Sequence, residues 1–257
     1  MALDGKAALV TGAAQGLGKS FSEVLLQHGA KVAMLDVAEE AGKSLKESLD
    51  QRYGADRSLF IPCDVQSQQQ FKDAMQKAVD TFGQLDIVCN NAGIVDERAW
   101  EEAVSINLMG VIRGTYLALE HMNKLTGGPG GVVINVASLA GLGPLLSAPV
   151  YTATKHGVVG FTRAMADASK VSGYGVRFNL LCPDFVQTNI LSALTSSLGP
   201  FAHLRDSTKH LMEKHGILDV SQVSQAFLQL LLDQTKDGEA LMVLGNGSQY
   251  YPFPSLE

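Results

Sequence analysis

The sequence lacks any run rich in lysine or arginine along its 257 residues. Its 20 basic residues are outnumbered by 26 acidic ones, which gives a formal net charge of −6. Because nucleic acids and anionic membrane surfaces are bound through clustered positive charge, this balance argues against both as partners.

Charge of either sign is missing from the thirty residues between Leu125 and Thr154. A run of that length is long enough to span a bilayer, but six glycines, three prolines and several polar residues interrupt it. Its apolar pieces are the size of strands, shorter than the roughly 20 residues that a spanning helix needs. We therefore expect no membrane span and place the run inside a globular fold.

Cysteine is scarce, and no histidine spacing matches a metal-ligand pattern. The three cysteines, Cys63, Cys89 and Cys182, are an odd number, and each lies in or beside an apolar segment. This usage favours buried free thiols in a reducing compartment. No secretory signal is visible at the N-terminus. We expect a cytoplasmic protein without a metal.

Strand-like and helix-like segments alternate along almost the whole chain. The expected strands are Lys6–Thr11, Lys31–Asp36, Ser58–Pro62, Leu85–Cys89, Gly131–Ser138, Val176–Cys182 and Ala240–Leu244. The expected helices are Gly16–His28, Ala38–Tyr53, Gln68–Phe82, Trp100–Lys124, Val150–Ser172 and Ser221–Asp233. Continuous apolar strands are typical of a sheet covered by helices on both faces. This pattern predicts an α/β fold, a single doubly wound Rossmann-type parallel sheet of about seven strands, in one domain spanning residues 1–257.

A glycine-rich turn joins the first strand to the first helix. It reads TGAAQGLG and contains Gly12, Gln15, Gly16, Leu17 and Gly18. The first glycine permits a tight turn, the second a close approach to a pyrophosphate, and the third close packing of the helix. Amide groups at the helix N-terminus would then bind the phosphates. This order of strand, turn, helix and strand predicts a dinucleotide site.

Asp36 ends the second strand, eighteen residues after Gly18. A carboxylate there accepts hydrogen bonds from ribose hydroxyls and repels a 2′-phosphate, and neither Gln15 nor Val37 supplies a cation for one. The cofactor is therefore predicted to be NAD. A helix-capping role for Asp36 is compatible with this interpretation.

The third and fourth strands also end in polar residues on the same edge. Cys63, Asp64 and Val65 follow the third strand, and Asp64 is a candidate partner of the adenine amino group. Asn90 and Asn91 follow the fourth strand, where a structural role in joining neighbouring strands is favoured.

Tyr151 and Lys155 lie at the start of a predicted helix, and their i, i+4 spacing places them on one face. Ser138 lies thirteen residues before the tyrosine, at the end of the fifth predicted strand. Oxidation of a secondary alcohol needs a base for the hydroxyl proton and a group that orients the oxygen. An ammonium beside a phenol favours the phenolate. We interpret Tyr151 as the base, Lys155 as its activator and Ser138 as the substrate anchor.

Together these motifs, with NNAG and the segment from Pro183 to Thr188, resemble those of the short-chain dehydrogenase/reductase family over essentially the whole chain. The resemblance implies that Asn107 completes a catalytic tetrad by holding a water of the proton relay. It also implies that Thr188 and the backbone around Val186 bind the nicotinamide carboxamide, and that Lys155 contacts the nicotinamide ribose.

Within the family, segments such as INLMGVIRGTYLALEHM and PVYTATKHGVVGFTRA resemble the branch that oxidises the 15-hydroxyl of prostaglandins and related hydroxy fatty acids. This implies a homodimer formed through the helices at Trp100–Lys124 and Val150–Ser172. The substrate residues implied are Ser138, Ala148, Tyr151, Phe185 and Ile217. Two positions depart from the branch: Ala148 replaces a glutamine, and Asp184 replaces a glycine.

The segment at about 189–218 is rich in apolar residues and is interpreted as a substrate lid. Its apolar side chains would meet an acyl chain, and His203, Arg205, Lys209 or His210 would meet a carboxylate. Packing of these helices on the body is the alternative. A hydroxysteroid or other secondary alcohol is the competing substrate, since Ala148 would open the pocket. A dinucleotide-binding scaffold without activity is disfavoured because Tyr151 and Lys155 are both present.

Overall fold

The computed structural model describes residues 2–254, which form one eight-stranded sheet with helices on both faces. The strands are β1 (Ala7–Thr11), β2 (Lys31–Asp36), β3 (Ser58–Pro62), β4 (Ile87–Asn90), β5 (Gly131–Val136), β6 (Val176–Pro183), β7 (Ala240–Leu244) and β8 (Gly247–Tyr250). The helices are α1 (Gly16–Gln27), α2 (Glu39–Tyr53), α3 (Gln68–Phe82), α4 (Trp100–Val104), α5 (Val111–Met122), α6 (Pro149–Ser172), α7 (Asn189–Ser196), α8 (Arg205–His215) and α9 (Val220–Leu232).

The strand order is β3-β2-β1-β4-β5-β6-β7-β8, and β1 to β7 are all parallel. The order reverses between β1 and β4, which is where a doubly wound sheet opens a ligand crevice at the carboxyl ends of its strands. The predicted fold class is confirmed.

Two apolar layers hold the helices on opposite faces of the sheet. One contains Phe21 of α1 stacked on Phe227 of α9, with ring centroids 4.4 Å apart. The other contains Phe71 of α3 and Phe178 of β6, both fully buried. Burial of strands on both faces explains their continuous apolar runs.

The differences from the sequence expectation include one additional strand and two altered elements near the cavity. The last strand, β8, pairs antiparallel with β7 and was not predicted, because its sequence GSQY has no apolar run. The fifth strand ends at Val136, and Ser138 instead caps a 3₁₀ turn at Leu139–Gly141. The expected helix from Trp100 is divided by a π-helical turn at Ser105–Gly110. None of the described helices is long and apolar enough to cross a membrane.

Candidate active site

The carboxyl ends of the parallel strands border an open cavity of about 700 Å³. Most residues proposed from the sequence line it: Gly12, Gln15, Gly16, Leu17, Asp36, Val37, Cys63, Asp64, Val65, Asn91, Ser138, Tyr151, Lys155, Phe185, Val186 and Thr188. Gly18, Asn107, Ala148 and Ile217 are not among its lining residues. Residues from seven different segments of the sequence thus meet at one edge of the sheet.

Two glycines of the turn, Gly12 and Gly18, have no room for a side chain. Gly12 has a φ of +64°, and a Cβ there would lie 2.9 Å from Ala92 Cα. Gly18 packs against the Gly12 carbonyl and the Asn91 side chain, so its role is in packing below the cavity. Asn91 Nδ2 donates to the carbonyls of Thr11 (2.9 Å) and Gly12 (3.2 Å) and fixes the turn to the end of β4.

Asp36 is nearly buried at the end of β2, and each of its two carboxylate oxygens accepts a hydrogen bond from a different backbone amide. Oδ2 accepts from the Ala14 amide at 2.8 Å and Oδ1 from the Ala38 amide at 2.9 Å. A carboxylate accepts about four hydrogen bonds, so two remain for a ligand. The two basic side chains that line the cavity are remote from β2 in the sheet order: Lys155 binds Val136 of β5 and His215 binds Asp184 after β6, three and four strand positions away.

Asn90 joins neighbouring strands, as its structural interpretation expected. Its Nδ2 donates to Asn135 Oδ1 of β5 at 2.8 Å, and Asn135 Nδ2 donates in turn to Thr162 Oγ1 of α6 at 2.8 Å. This buried amide chain fixes β4, β5 and α6 relative to one another. Asp64 accepts from the Gln66 amide at 2.9 Å and borders the cavity.

Tyr151 and Lys155 occupy successive turns at the start of α6, and both side chains are buried. Lys155 Nζ lies 5.6 Å from the Tyr151 ring centroid and donates to the Val136 carbonyl at 2.9 Å. Ser138 Oγ accepts from the Ala140 amide at 3.1 Å, which fixes it beside the cavity.

Burial dominates the ionisation of this pair. It raises the pKa of Tyr151 to about 12, and the nearby Ser138 hydroxyl opposes that shift only in part. Burial also lowers the pKa of Lys155 to about 8. Desolvation is therefore the largest effect on both side chains, and the role of the Lys155 ammonium in favouring the phenolate stays a prediction.

Asn107 lies in the π-helical turn and is fully buried outside the cavity wall. Its Oδ1 accepts from the Ile94 amide and its Nδ2 donates to the Ile94 carbonyl, both at 2.8 Å. A Cβ on Gly93 would lie 3.3 Å from Asn107 Oδ1 and 3.6 Å from Lys155 Nζ. The π-helical turn therefore brings Asn107 to the same glycine that Lys155 approaches.

Two substrate expectations are not matched by the positions of the side chains. Ala148 is fully buried in an apolar cluster at the start of α6, so it does not open the cavity. Ile217 is half exposed and lies outside the cavity lining. Sequence spacing could not show this, because the direction of each side chain depends on how α6 and α8 pack.

The structure also places residues at the site that sequence reasoning missed. His215, at the end of α8, lines the cavity, whereas His203, Arg205, Lys209 and His210 are not among its lining residues. Its Nδ1 lies 2.9 Å from Asp184 Oδ2, and its ring contacts Phe185 edge to face. No local pattern marks this pair, because the two residues are separated by 31 positions.

The segment 189–218 covers the apolar end of the cavity. Its lining residues there are Ile190, Leu191, Leu194 and Leu211, which face Leu145 and Phe185. Its last residue is bonded to the chain just before its start, from the Leu218 amide to the Phe185 carbonyl (2.7 Å) and from the Gln187 amide to the Leu218 carbonyl (3.0 Å). Asn189 Nδ2 also donates to Gln15 Oε1 at 2.8 Å, across the dinucleotide turn.

Comparisons with known proteins give one consistent group. The model of the short chain dehydrogenase family matches residues 6–199. The 15-hydroxyprostaglandin dehydrogenase (NAD(+)) of Rattus norvegicus is 44% identical over 262 residues, covering 100% of this chain and 98% of that protein. The 3beta-hydroxysteroid dehydrogenase 2 of Eggerthella lenta is 39% identical over 197 residues, covering 73% of this chain and 74% of that protein. The crystal structure of levodione reductase superposes with a TM-score of 0.82 at 26% identity, covering 95% of this chain and 98% of that one.

Proposed function

Because the chain belongs to the short-chain dehydrogenase family, we propose that it is an NAD-dependent enzyme that oxidises a secondary alcohol to a ketone. The proposed substrate is a lipid-like hydroxy acid, namely the 15-hydroxyl of a prostaglandin or related hydroxy fatty acid. The observation that carries the proposal is the meeting of Ser138, Tyr151 and Lys155 with the Asp36 groove in one cavity that ends in apolar side chains.

The groove fits NAD on this structure's own contacts. The free lone pairs of Asp36 suit the adenosine ribose hydroxyls, and no cationic lining group lies near them to accept a 2′-phosphate. The turn from Gly12 to Leu17 would hold the pyrophosphate, Asp64 and Val65 the adenine, and Val186 and Thr188 the carboxamide. NAD held by these residues would supply the hydride acceptor for oxidation of the carbinol carbon.

In the proposed mechanism, Tyr151 accepts the proton of the substrate hydroxyl while Ser138 holds the same oxygen in place. Lys155 supplies positive charge that stabilises the phenolate against the cost of burial. Because burial raises the pKa of Tyr151 to about 12, the reactive form is gained as pH rises, so oxidation is expected to accelerate from pH 6 to pH 8. Asn107 would hold a water that passes the proton on through Lys155.

Apolar contacts support the choice of a lipid-like substrate. A buried apolar cluster at the covered end of the cavity contains Tyr151, Leu145, Phe185 and Leu194. The partly buried Leu191 packs against it. An acyl chain placed there would exclude water from the proton transfer. We assign segment 189–218 as a lid over this end, within a single catalytic domain, and His215 as the lid residue that meets a polar group of the substrate.

We further propose a cytoplasmic homodimer. Trp100, Met109 and Tyr116 are exposed on the face formed by α4, the π-helical turn and α5, and Tyr116 packs edge to face on Phe161 of α6. Exposed large apolar side chains on adjoining helices favour a subunit interface. The three buried free cysteines favour a reducing compartment.

Production of NADH over a panel of alcohols tests the function. We expect turnover of 15-hydroxy eicosanoids with NAD, at least 100-fold lower kcat/KM with NADP, and little turnover of hydroxysteroids or short alcohols. Turnover of a hydroxysteroid alone would favour the activity named for the Eggerthella lenta relative. The variant Tyr151→Phe should lose at least 1000-fold in kcat and still bind NAD, whereas Tyr174→Phe, a control outside the cavity lining, should retain activity.

A further inference from the structure

Glu97 is a buried carboxylate outside the cavity lining that is hydrogen-bonded to the helix bearing Tyr151. It lies in the loop between β4 and α4 and is 4% exposed. Its Oε1 accepts from the Tyr151 amide at 2.9 Å, and its Oε2 accepts from the Val150 amide at 3.1 Å. Both acceptors thus bind the first turn of α6, and one of them binds the main chain of the tyrosine itself.

The start of α6 depends on this distant residue for its cap. Ala148, at the N-cap position, makes no side-chain capping bond, and Pro149 has no amide hydrogen. Without this carboxylate, the buried Tyr151 amide and the part-buried Val150 amide would lack acceptors, which is costly. Glu97 satisfies both and places a negative charge at the positive end of a 24-residue helix.

The main chain of Glu97 is itself fixed. Its amide donates to the Ser197 carbonyl at 2.9 Å, at the end of α7. Gly199 packs so closely that a Cβ there would lie 3.1 Å from the Glu97 carbonyl oxygen. Segment 189–218, which covers the cavity, therefore holds the main chain of Glu97, and the side-chain carboxylate extends from there to α6.

We propose that Glu97 is a positioning residue for the reaction: by binding the Val150 and Tyr151 amides, it fixes the Tyr151 phenol relative to Ser138 and to the substrate oxygen. The inference rests on the proposed function and deepens it. None of the described salt bridges involves Glu97, so the amides of α6 are its principal partners. A shift of the first turn would move the phenol, and a misplacement of about 1 Å can cost 100-fold in rate.

The test compares Glu97→Gln with Glu97→Asp in the full chain. In Glu97→Gln one amide of α6 faces an NH₂ group, so we expect kcat to fall 10- to 100-fold, with the Kd for NAD within twofold of the unmodified enzyme. Glu97→Asp keeps the charge but has a side chain one methylene shorter. Its kcat should lie between that of Glu97→Gln and that of the unmodified enzyme. With substrate deuterated at the carbinol carbon, the isotope effect on kcat should increase, because the chemical step becomes slower.

Asp96→Asn is the matched control, since Asp96 is the adjacent carboxylate and binds only the amides of Arg98 and Ala99 and the Arg98 side chain. It should retain kcat within twofold. A Glu97→Gln enzyme with normal kcat per folded molecule would overturn the proposal, as would an isotope effect smaller than that of the unmodified enzyme. If Glu97→Gln does not fold, a normal kcat for Glu97→Asp overturns it instead.

The outcome is separable from that of the proposed function. All ratios are measured on whichever secondary alcohol the unmodified enzyme oxidises fastest. Inactivity of the unmodified enzyme on 15-hydroxy acids would contradict the substrate assignment. The kcat values of the Glu97 variants would then be compared with another alcohol as the substrate.

Discussion

Burial moves both ionisable side chains of the proposed reaction toward their neutral forms. It raises the pKa of Tyr151 to about 12 and lowers that of Lys155 to about 8. Each shift means that the charged form is destabilised by removal from water. Near neutral pH the cost in stability falls on Lys155, because the Tyr151 phenol is uncharged there in both the folded and the unfolded state.

Replacing Lys155 by Met should therefore stabilise the fold near neutral pH while abolishing oxidation. The folded pKa of about 8 lies below the unfolded value of 10.5, so the full cost of the buried ammonium is present below pH 8. That cost fades between pH 8 and 10.5, where the folded state loses its proton first. The expected gain is roughly 1 to 3 kcal/mol at pH 7, after loss of the bond to the Val136 carbonyl.

Urea unfolding at pH 7 and pH 9.5 measures this difference. The advantage of the variant over the unmodified chain should shrink at the higher pH. Lys170→Met, on the same helix but exposed, is the control and should show no such pH dependence. A variant less stable at pH 7 by a margin that does not vary with pH would contradict the assignment.

At the scale of elements, segment 189–218, the proposed lid, is held by contacts at several separate points. Its last residue, Leu218, is bridged to Val186 just before its start, and Asn189 at its start binds Gln15. At its far end, His215 of α8 is paired with Asp184, which follows β6. The Asp184 that departs from the related branch thus has a partner in the lid.

Replacing Asp184, the partner of His215, should affect substrate binding more than the chemical step. We expect Asp184→Asn to raise KM for the hydroxy acid about three- to tenfold, with kcat within twofold and KM for NAD unchanged, because only the covered end of the cavity is loosened. Steady-state kinetics with both substrates measure it. Asp206→Asn removes an exposed carboxylate of α8 and should leave all three constants unaltered. An equal rise in both KM values would show that Asp184 does not act through the lid.

At the scale of the whole molecule, the two faces of the sheet differ in what they expose. The face covered by α3, α5 and α6 carries Trp100, Met109 and Tyr116 at its surface. The C-terminal aromatic residues, by contrast, pack on their own chain: Phe253 lies under the Arg163 guanidinium at 3.9 Å, and Tyr250 belongs to β8. The helix face is therefore the better candidate for a subunit contact.

A charged group on that face should dissociate the proposed dimer. Tyr116→Glu would bury a carboxylate in the interface, which is unfavourable without a partner. We expect light scattering after size exclusion to give a mass near 54.6 kDa for the unmodified protein, twice the 27.3 kDa chain, and near 27.3 kDa for the variant. Leu232→Glu, on α9 at the opposite face, should remain dimeric. A monomeric unmodified protein would refute the dimer.

The sequence by itself determined the architecture and the composition of the cavity. Alternation of apolar strands and amphipathic helices is a local property, and parallel strands place their carboxyl ends on one edge. The sequence pattern alone therefore assigns four features to one edge of the sheet: the turn from Gly12 to Gly18, Asp36, Ser138 and the Tyr151/Lys155 pair. β8 was missed because its edge position requires no apolar run.

Only the tertiary structure decided which groups act on one another. Glu97 reaches the Tyr151 amide across 54 residues, and His215 reaches Asp184 across 31. Ala148 is turned into the apolar cluster by the packing of α6. The desolvation that raises the pKa of Tyr151 depends on how completely the sheet and helices exclude water. Such distances and dielectric effects arise from packing between elements, and no local sequence pattern encodes them.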